Sequence, residues 1–234
     1  MKKLLSVLSV FALAAIAAGT ASAGSINTPT GLNPGDNFRI VFVTSTLTAA
    51  TSGDLATYDS FVSADATGTT YDGIPVLWQA IVSNYTIHAR DHIGLQSTST
   101  TPLYTVDGTL VSAGNIWSGA LLAPISKTIN NTQLIAEVWT GTNPEGGSAR
   151  GFYQEMGSAL YGGNVRKGNS GSTNGSWLEG SSGQSATLKG IYGISGVLTV
   201  PSTVPEPSTA MLAGLGGLAA LVYSFKRKRN SCQR

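Results

Sequence analysis

The order of apolar and polar positions predicts an early strand followed by a helix. Residues 38–44 are rich in β-branched and aromatic side chains and follow the sequence Asn-Pro-Gly-Asp at residues 33–36, as is typical of a strand that begins after a turn. Ser52 or Asp54 can cap a helix in which apolar side chains recur at helical spacing between residues 55 and 62. We therefore expect a strand and a helix as the first unit of the fold.

Shorter apolar runs predict the remaining strands. These runs lie at residues 76–82, 103–105, 109–111, 134–140 and 188–200. The last run alternates apolar side chains with glycines, and we expect it to pair with the first strand. Between Gly141 and Gly183 the chain is dominated by Gly, Ser and Asn, which predicts a long loop region. The predicted class is α+β, with short antiparallel strands and long loops.

The amino end has the pattern of an export signal. Two lysines precede an apolar stretch at residues 4–18, and Ala21 and Ala23 form a small-x-small site directly before Gly24. This order of parts predicts a secretory signal peptide over residues 1–23, cut by signal peptidase after Ala23. Signal peptidase is thus an expected partner during export.

The carboxyl end has three parts in a fixed order. They are the segment Val204, Pro205, Glu206, Pro207 and Ser208, an apolar run at residues 210–225, and the basic cluster Lys226, Arg227, Lys228 and Arg229. The prolines favour an extended segment. The apolar run would measure roughly 24 Å as a helix, a little short of a hydrocarbon core of about 30 Å, so its flanking residues must help it to span. We expect a single transmembrane helix over about residues 209–225, with the basic end in the cytoplasm.

These three parts resemble the PEP-CTERM sorting tail of Gram-negative bacteria that make exopolysaccharide. The resemblance implies that a membrane-embedded exosortase recognises residues 204–208 and removes the tail. The chain would then divide into a signal peptide, an exported domain at residues 24–203 and a sorting signal at residues 204–234. It would be anchored transiently in the inner membrane and delivered to the outer surface or the extracellular matrix.

A second resemblance covers most of residues 38–200. Its segments include Phe42-Val43-Thr44-Ser45 and residues 78–81, 89–91, 104–111, 122–125 and 138–143. They are similar to exported bacterial domains with a C-type-lectin-like, endostatin-like fold. The resemblance implies this fold for the exported domain. The sorting tail and the loop composition lead us to expect a non-catalytic domain that binds a polysaccharide or protein through its loops.

Composition narrows the possible partners. Residues 24–203 hold seven Lys and Arg against eleven Asp and Glu, a net charge of −4, which disfavours a nucleic-acid partner. The only cysteine is Cys232 in the tail, so the exported domain cannot form an internal disulfide. Packing alone must hold its loops.

Two short motifs suggest metal binding without completing a site. His88 and His92 have the spacing of a helical metal pair, but no third ligand is near in sequence. Residues 143–145 read Asn-Pro-Glu, the reverse of the calcium- and sugar-binding tripeptide of true C-type lectins, and suit a turn. We expect no metal and no cofactor.

The residues that could serve catalysis form no recognisable set. The exported part has no Gly-x-Ser-x-Gly elbow and no cysteine nucleophile, while paired carboxylates cannot be recognised from spacing alone. Arg166 and Lys167 suit a solvated loop turn. Four aromatic residues could form a contact surface or could anchor loops to the core: Tyr153, Tyr161, Trp177 and Tyr192. We expect a non-catalytic binding or adhesion protein, with a polysaccharide hydrolase and a structural matrix component as alternatives.

Overall fold

The computed structural model describes residues 24–149, 153–158 and 163–202. In chain order the strands are β1 (Asn37–Val43), β2 (Thr70–Tyr71), β3 (Ile74–Pro75), β4 (Trp78–Ala80), β5 (Leu103–Thr105), β6 (Leu110–Ser112), β7 (Glu137–Trp139), β8 (Asn164–Asn169), β9 (Ser181–Gln184), β10 (Gly190–Ser195) and β11 (Leu198–Thr199). The helices in the described ranges are α1 (Leu55–Asp65), α2 (Ala89–His92) and a 3₁₀ helix at Gly175–Trp177. Regular structure is therefore mostly β.

One mixed sheet organises these strands. Its order is β6-β5-β1-β10-β7-β8-β9, with β11 also paired to β1 and β4 also paired to β10, while β2 and β3 form a separate hairpin. β1 is parallel to β5 and antiparallel to β10, where Val41 faces Ile194 and Val43 faces Tyr192. The first and last long strands are thus neighbours at the centre of the sheet.

β1 is central because both of its faces are apolar. Phe38, Ile40 and Phe42 point into one core cluster, whereas Val41 and Val43 point into a second cluster on the opposite face. Successive side chains of a strand alternate between faces, so both faces of β1 are buried. Arg39, on the same face as Val41, is buried as well, and its guanidinium donates a 2.8 Å hydrogen bond to the Ile93 carbonyl. We call these the helix face and the loop face.

The helix face is covered by α1. Asp54 caps this helix by accepting a hydrogen bond from the backbone N–H of Ala56, which satisfies one of the amides left unpaired in the first turn. Leu55, Tyr58 and Val62 are buried against the sheet. A spacing of three or four residues places them on one side of the helix.

The loop face is covered by the short helix α2 and by irregular segments between residues 89 and 125. Trp117 and Trp177 stack with ring centroids 6.3 Å apart, and Trp177 also lies 5.6 Å from the ring of Tyr192 on β10. Large aromatic side chains thus fill the space that regular helices would otherwise occupy.

Several expected elements are confirmed. β1, α1, β4 and β5 lie where the apolar runs predicted them, Asp54 rather than Ser52 accepts the capping hydrogen bond, and the last strand pairs with the first. The run at residues 188–200 is interrupted at Gly196 and Val197 and forms two strands, β10 and β11.

The predicted α+β class is wrong. A nine-stranded mixed sheet dominates, and the described helices comprise α1 with 11 residues, α2 with 4 and the short 3₁₀ turn. The expected long loop between residues 141 and 183 contains β8 and the start of β9. The clear periodicity of α1 marks a single helix among many short strands, and it does not define the class of the fold.

The fold class also included a C-terminal transmembrane helix, and this part is not supported. Within the described ranges, no helix has the length and apolar character needed to cross a membrane. The predicted segment itself, residues 209–225, lies outside the described residues.

Candidate functional site

The two histidines have different partners. His88 Nδ1 accepts a hydrogen bond of 2.7 Å from the backbone N–H of Ser148. His92 Nε2 lies 3.0 Å from an Asp59 carboxylate oxygen, which also accepts a bond from the Ala80 N–H. The two imidazoles therefore anchor separate segments. Among the described residues, no group of three His, Cys, Asp or Glu side chains could hold a metal ion.

The Asn-Pro-Glu sequence forms a turn. The Gly146 N–H donates to the Asn143 carbonyl at 3.0 Å, and the Asn143 side-chain oxygen accepts a 2.7 Å bond from the Gly147 N–H. Gly146 has φ +75°, and a Cβ there would lie 2.6 Å from the Trp117 ring. The turn thus requires glycine and fixes the indole beneath it.

The suggested aromatic contact surface is not assembled. Trp177 and Tyr192 are fully buried in the core of the loop face, where burial raises the pKa of Tyr192 well above its usual value. Tyr153 is partly buried, and Tyr161 lies outside the described residues. Anchoring of loops is therefore the role of the two aromatic residues whose packing is clear.

Arg166 and Lys167 lie on a strand rather than in a solvated turn. Both belong to β8, where Arg166 pairs with Glu179 at 3.0 Å and Lys167 pairs with Glu137. Lys189 also binds Glu137 at 2.7 Å, and hydrogen bonds from both lysines lower the pKa of that carboxyl. These charges connect neighbouring strands on the protein surface.

A cavity of about 220 Å³ lies where three loops meet. The loops are the segment before α1, the connection from β4 to α2, and residues 153–158. The lining residues are Gly53, Asn84, Tyr85, Thr86, Glu155, Met156, Gly157 and Ser158. We call this the Glu155 cavity.

Backbone hydrogen bonds and one glycine hold the three loops together. The Met156 N–H donates to the Ser83 carbonyl at 2.9 Å, and the Gly157 N–H donates to the Ala50 carbonyl at 3.0 Å. Gly157 has φ +74°, and a Cβ there would lie 2.3 Å from the Gly53 nitrogen. A larger residue would force the loops apart, so the cavity depends on this close approach.

Asn84 fixes the cavity wall that is formed by the connection from β4 to α2. Its amide group donates to the Gly53 carbonyl at 2.8 Å, and its side-chain oxygen accepts from the N–H groups of Thr86 and Ile87 at 3.0 and 2.7 Å. Because both ends of this amide are bound to backbone, Asn84 positions the wall rather than offering a free polar group.

Glu155 is the unusual group in this cavity. The residue is 4% exposed, and its Oε2 is buried without a hydrogen-bond partner among the described residues. An unsatisfied buried polar group costs about 1–3 kcal/mol, and more when it is charged. Such an atom calls for a ligand or another group that donates a hydrogen bond.

Sequence reasoning missed Glu155 because it stands in a Gly- and Ser-rich stretch without a recognisable motif. Its neighbour Met156, one of the few apolar residues of this stretch, is buried in the core. An acidic residue next to such an anchor was the one available signal that this carboxylate would be buried.

Residues 203–228 match the PEP-CTERM protein-sorting motif. The match defines a class of proteins exported and sorted at the membrane by exosortase, and the chain is such an exported, exosortase-sorted protein. No curated protein matches the chain. The resemblance to PEP-CTERM proteins is thus confirmed, whereas nothing supports the resemblance to C-type lectins.

Most of the predicted processing residues lie outside the described structure. This holds for Ala21 and Ala23, for residues 204–208 and for the basic cluster at residues 226–229. Gly24 is the first described residue. The sorting segment at residues 204–208 falls within the matched motif, and the signal peptidase site stays a prediction.

Proposed function

We propose that the exported domain is a non-catalytic binding module that holds a sugar unit of a polysaccharide in the Glu155 cavity. It acts on the outer surface or in the extracellular matrix of a Gram-negative bacterium, after removal of its signal peptide by signal peptidase. The observation that carries this proposal is Glu155, which lines the cavity and whose buried Oε2 has no hydrogen-bond partner among the described residues.

The chemistry of the cavity suits a ligand rich in hydroxyl groups. A carboxylate accepts hydrogen bonds from hydroxyls. The hydroxyls of Thr86 and Ser158 belong to lining residues and donate to the Asn84 side-chain oxygen and the Tyr153 carbonyl, so toward a ligand they can act as acceptors. The volume of about 220 Å³ is below the range of drug-sized ligand sites. It therefore fits one sugar unit or the end of a chain better than an extended oligosaccharide.

The distribution of acids favours binding over hydrolysis. Glycoside hydrolysis needs two carboxyl groups on either side of the scissile bond. Three cavities in the described part of the chain are each lined by a single carboxylate, namely Asp72, Glu155 and Asp36. A lone carboxylate can orient a sugar but leaves the second catalytic role unfilled.

A glycan array probed with the mature protein tests the proposal, in the presence and absence of calcium. We expect a glycan to bind under both conditions, since the site requires no metal. Glu155→Gln should weaken the binding of that glycan by about 10- to 100-fold, as expected for loss of a hydrogen bond to a charged group. Isothermal titration calorimetry with the selected glycan measures the change.

Glu145→Gln is the matched control, because Glu145 is an exposed acid in the turn of residues 143–146, outside the lining of the cavity. It should bind as the unsubstituted protein does. A blank array, or equal weakening by both substitutions, would contradict a ligand at Glu155. Release of reducing ends from a bound glycan would show a hydrolase instead.

A further inference from the structure

A second cavity, of about 520 Å³, lies at the end of the domain that leads into the sorting motif. One wall is the β2–β3 hairpin with Leu77, and the other is the segment from Gly196 to Ser202, which includes β11. The sorting motif begins at residue 203, directly after the last lining residue. We call this cavity the exit groove.

The rim of the exit groove exposes an unusual amount of apolar surface. Leu77 is 80% exposed, Ile74 67% and Val197 50%. Beneath them, Val76 and Leu198 are partly buried and pack against the core of the helix face. Clustered exposed apolar side chains mark an interaction surface, whereas single ones are ordinary.

The walls are held by backbone hydrogen bonds. The Gly196 N–H donates to the Leu77 carbonyl, and the Gly35 N–H donates to the Val200 carbonyl, both at 2.9 Å. The exposed side chains therefore stand on a fixed backbone. An apolar partner can bury them with little loss of backbone freedom.

Position and charge indicate which partner this is. Sorting through the motif at residues 203–228 takes place at the membrane, so the chain leaves the groove toward a bilayer. Asp72 is the only charged residue among the described residues that line the groove. The described lining therefore offers no attraction to acidic headgroups, and contact through the groove must rest on burial of apolar side chains.

We propose that the exit groove is a lipid-contacting surface that seats the exported domain on the bilayer while the chain is being sorted. Leu77, Ile74 and Val197 enter the apolar boundary of the membrane, and the domain rests on this end. The proposal is independent of the Glu155 cavity, and either can fail without the other.

The test uses the full chain bound to phosphatidylcholine vesicles. Cys232→Ser removes the only cysteine, and Leu77→Cys then carries a single environment-sensitive fluorophore. The expected result is a blue shift of its emission and quenching by nitroxide groups placed on the lipid chains. The basic cluster at residues 226–229 raises binding of the chain to acidic lipid, so the two signals are compared per bound chain. Measured in this way they should be the same with and without acidic lipid, because the described residues of the groove include no cation.

Leu188→Cys in the same Cys232→Ser chain is the matched control. Leu188 is 62% exposed and precedes β10, whereas Gly196 follows that strand. Eight residues of extended chain separate the two by up to ~26 Å. A fluorophore there should keep an aqueous emission and resist quenching from the lipid.

Three outcomes would overturn the proposal. Equal signals at positions 77 and 188 would show no preferred face. A blue shift at position 77 that lipid nitroxides do not quench would place a second copy or the chain itself in the groove. A signal that requires acidic lipid would show headgroup attraction.

The double substitution Ile74→Ser and Val197→Ser should reduce the blue shift at position 77, because burial of apolar side chains produces that shift.

Discussion

The two faces of the central sheet are buried to the same degree by different means. On the helix face, Phe42 is 0% exposed in the core cluster that includes the buried side chains of the capped helix α1, and Phe38 is 0% exposed against the rings of Tyr71 and Tyr104. On the loop face, Trp177 and Tyr192 are also 0% exposed, but short and irregular segments cover them. Irregular chain can therefore seal a core without a disulfide when large aromatic side chains fill it and glycines permit close contact.

The strongest test of this comparison removes one large side chain from each face. Trp177→Ala and Phe42→Ala should each lower the free energy of unfolding by about 3–5 kcal/mol, as is usual for buried aromatic side chains. Urea unfolding followed by circular dichroism measures both. Equal losses would show that the loop face is packed as tightly as the helix face.

A loss below about 1 kcal/mol for Trp177→Ala would contradict this view, because removal of a large side chain from a well-packed site leaves a cavity and destabilises the fold by more than that. The loop face would then be a loosely attached layer. Hydrogen exchange of the amides between residues 89 and 125 would locate the loosened segment.

The sequence predicted the helix face better than the loop face, and the reason is physical. β1 and α1 have strong local patterns, in which Phe38 to Val43 favour a strand and Asp54 caps the helix. β8 and β9 read Asn-Val-Arg-Lys-Gly-Asn and Ser-Ser-Gly-Gln, which have little intrinsic preference for strands. β8 pairs with β7, and β9 pairs with β8. This pairing makes both segments strands, and it is not visible in a local pattern.

The Glu155 cavity shows the same limitation. Its walls come from residues distant in sequence, such as Asn84 and Ser158, and no spacing rule connects them. The sorting motif, in contrast, is a contiguous segment that a sorting enzyme recognises. Contiguous signals can be recognised without a fold, whereas assembled sites cannot.

A smaller effect is expected from the glycine that joins the loops at the Glu155 cavity. Gly157→Ala introduces a Cβ 2.3 Å from the Gly53 nitrogen and should lower the free energy of unfolding by about 1–3 kcal/mol. It should also weaken ligand binding, because the three loops must separate. Urea unfolding and calorimetry measure the two effects.

Gly31→Ala is the matched control for this substitution. Gly31 has φ +89°, but a Cβ there meets nothing within 4 Å. Its cost should be limited to the backbone penalty of a left-handed conformation, about 1–2 kcal/mol, without any effect on the cavity. If the Gly157 variant bound ligand normally, the cavity would not depend on this contact.

The smallest effect concerns the charge of Asp107, which helps to attach the loop around Lys127 to the sheet. Asp107, in the turn between β5 and β6, pairs with Lys127 at 3.3 Å, and the Lys127 carbonyl accepts a bond from the Val43 N–H of β1. Burial raises the pKa of Asp107, but hydrogen bonds from Thr105, Thr109 and Lys127 lower it by a larger amount. The net result is a pKa of about 2. The folded state thus favours the ionised carboxylate.

The sign of the pH dependence follows from this lowered pKa. The stabilisation is complete above the ordinary pKa of 3.8 and is lost as the pH falls toward about 2. Because the residue lies at the protein surface, solvent screening should limit the contribution to about 1 kcal/mol or less. Asp107→Asn should therefore lower the urea midpoint at pH 6 slightly and cease to do so near pH 2.

Glu145→Gln, at an exposed carboxylate in a different turn, gives the reference for a substitution outside this network. If the difference between Asp107→Asn and the unsubstituted protein stayed constant from pH 6 to pH 2, the Asp107 charge would not stabilise the fold, and only its shape would matter. A difference that closes as the pH falls would mean that the loop around Lys127 is held in part by electrostatic attraction to Asp107. The helix face, whose covering helix buries Leu55, Tyr58 and Val62, depends on apolar packing there.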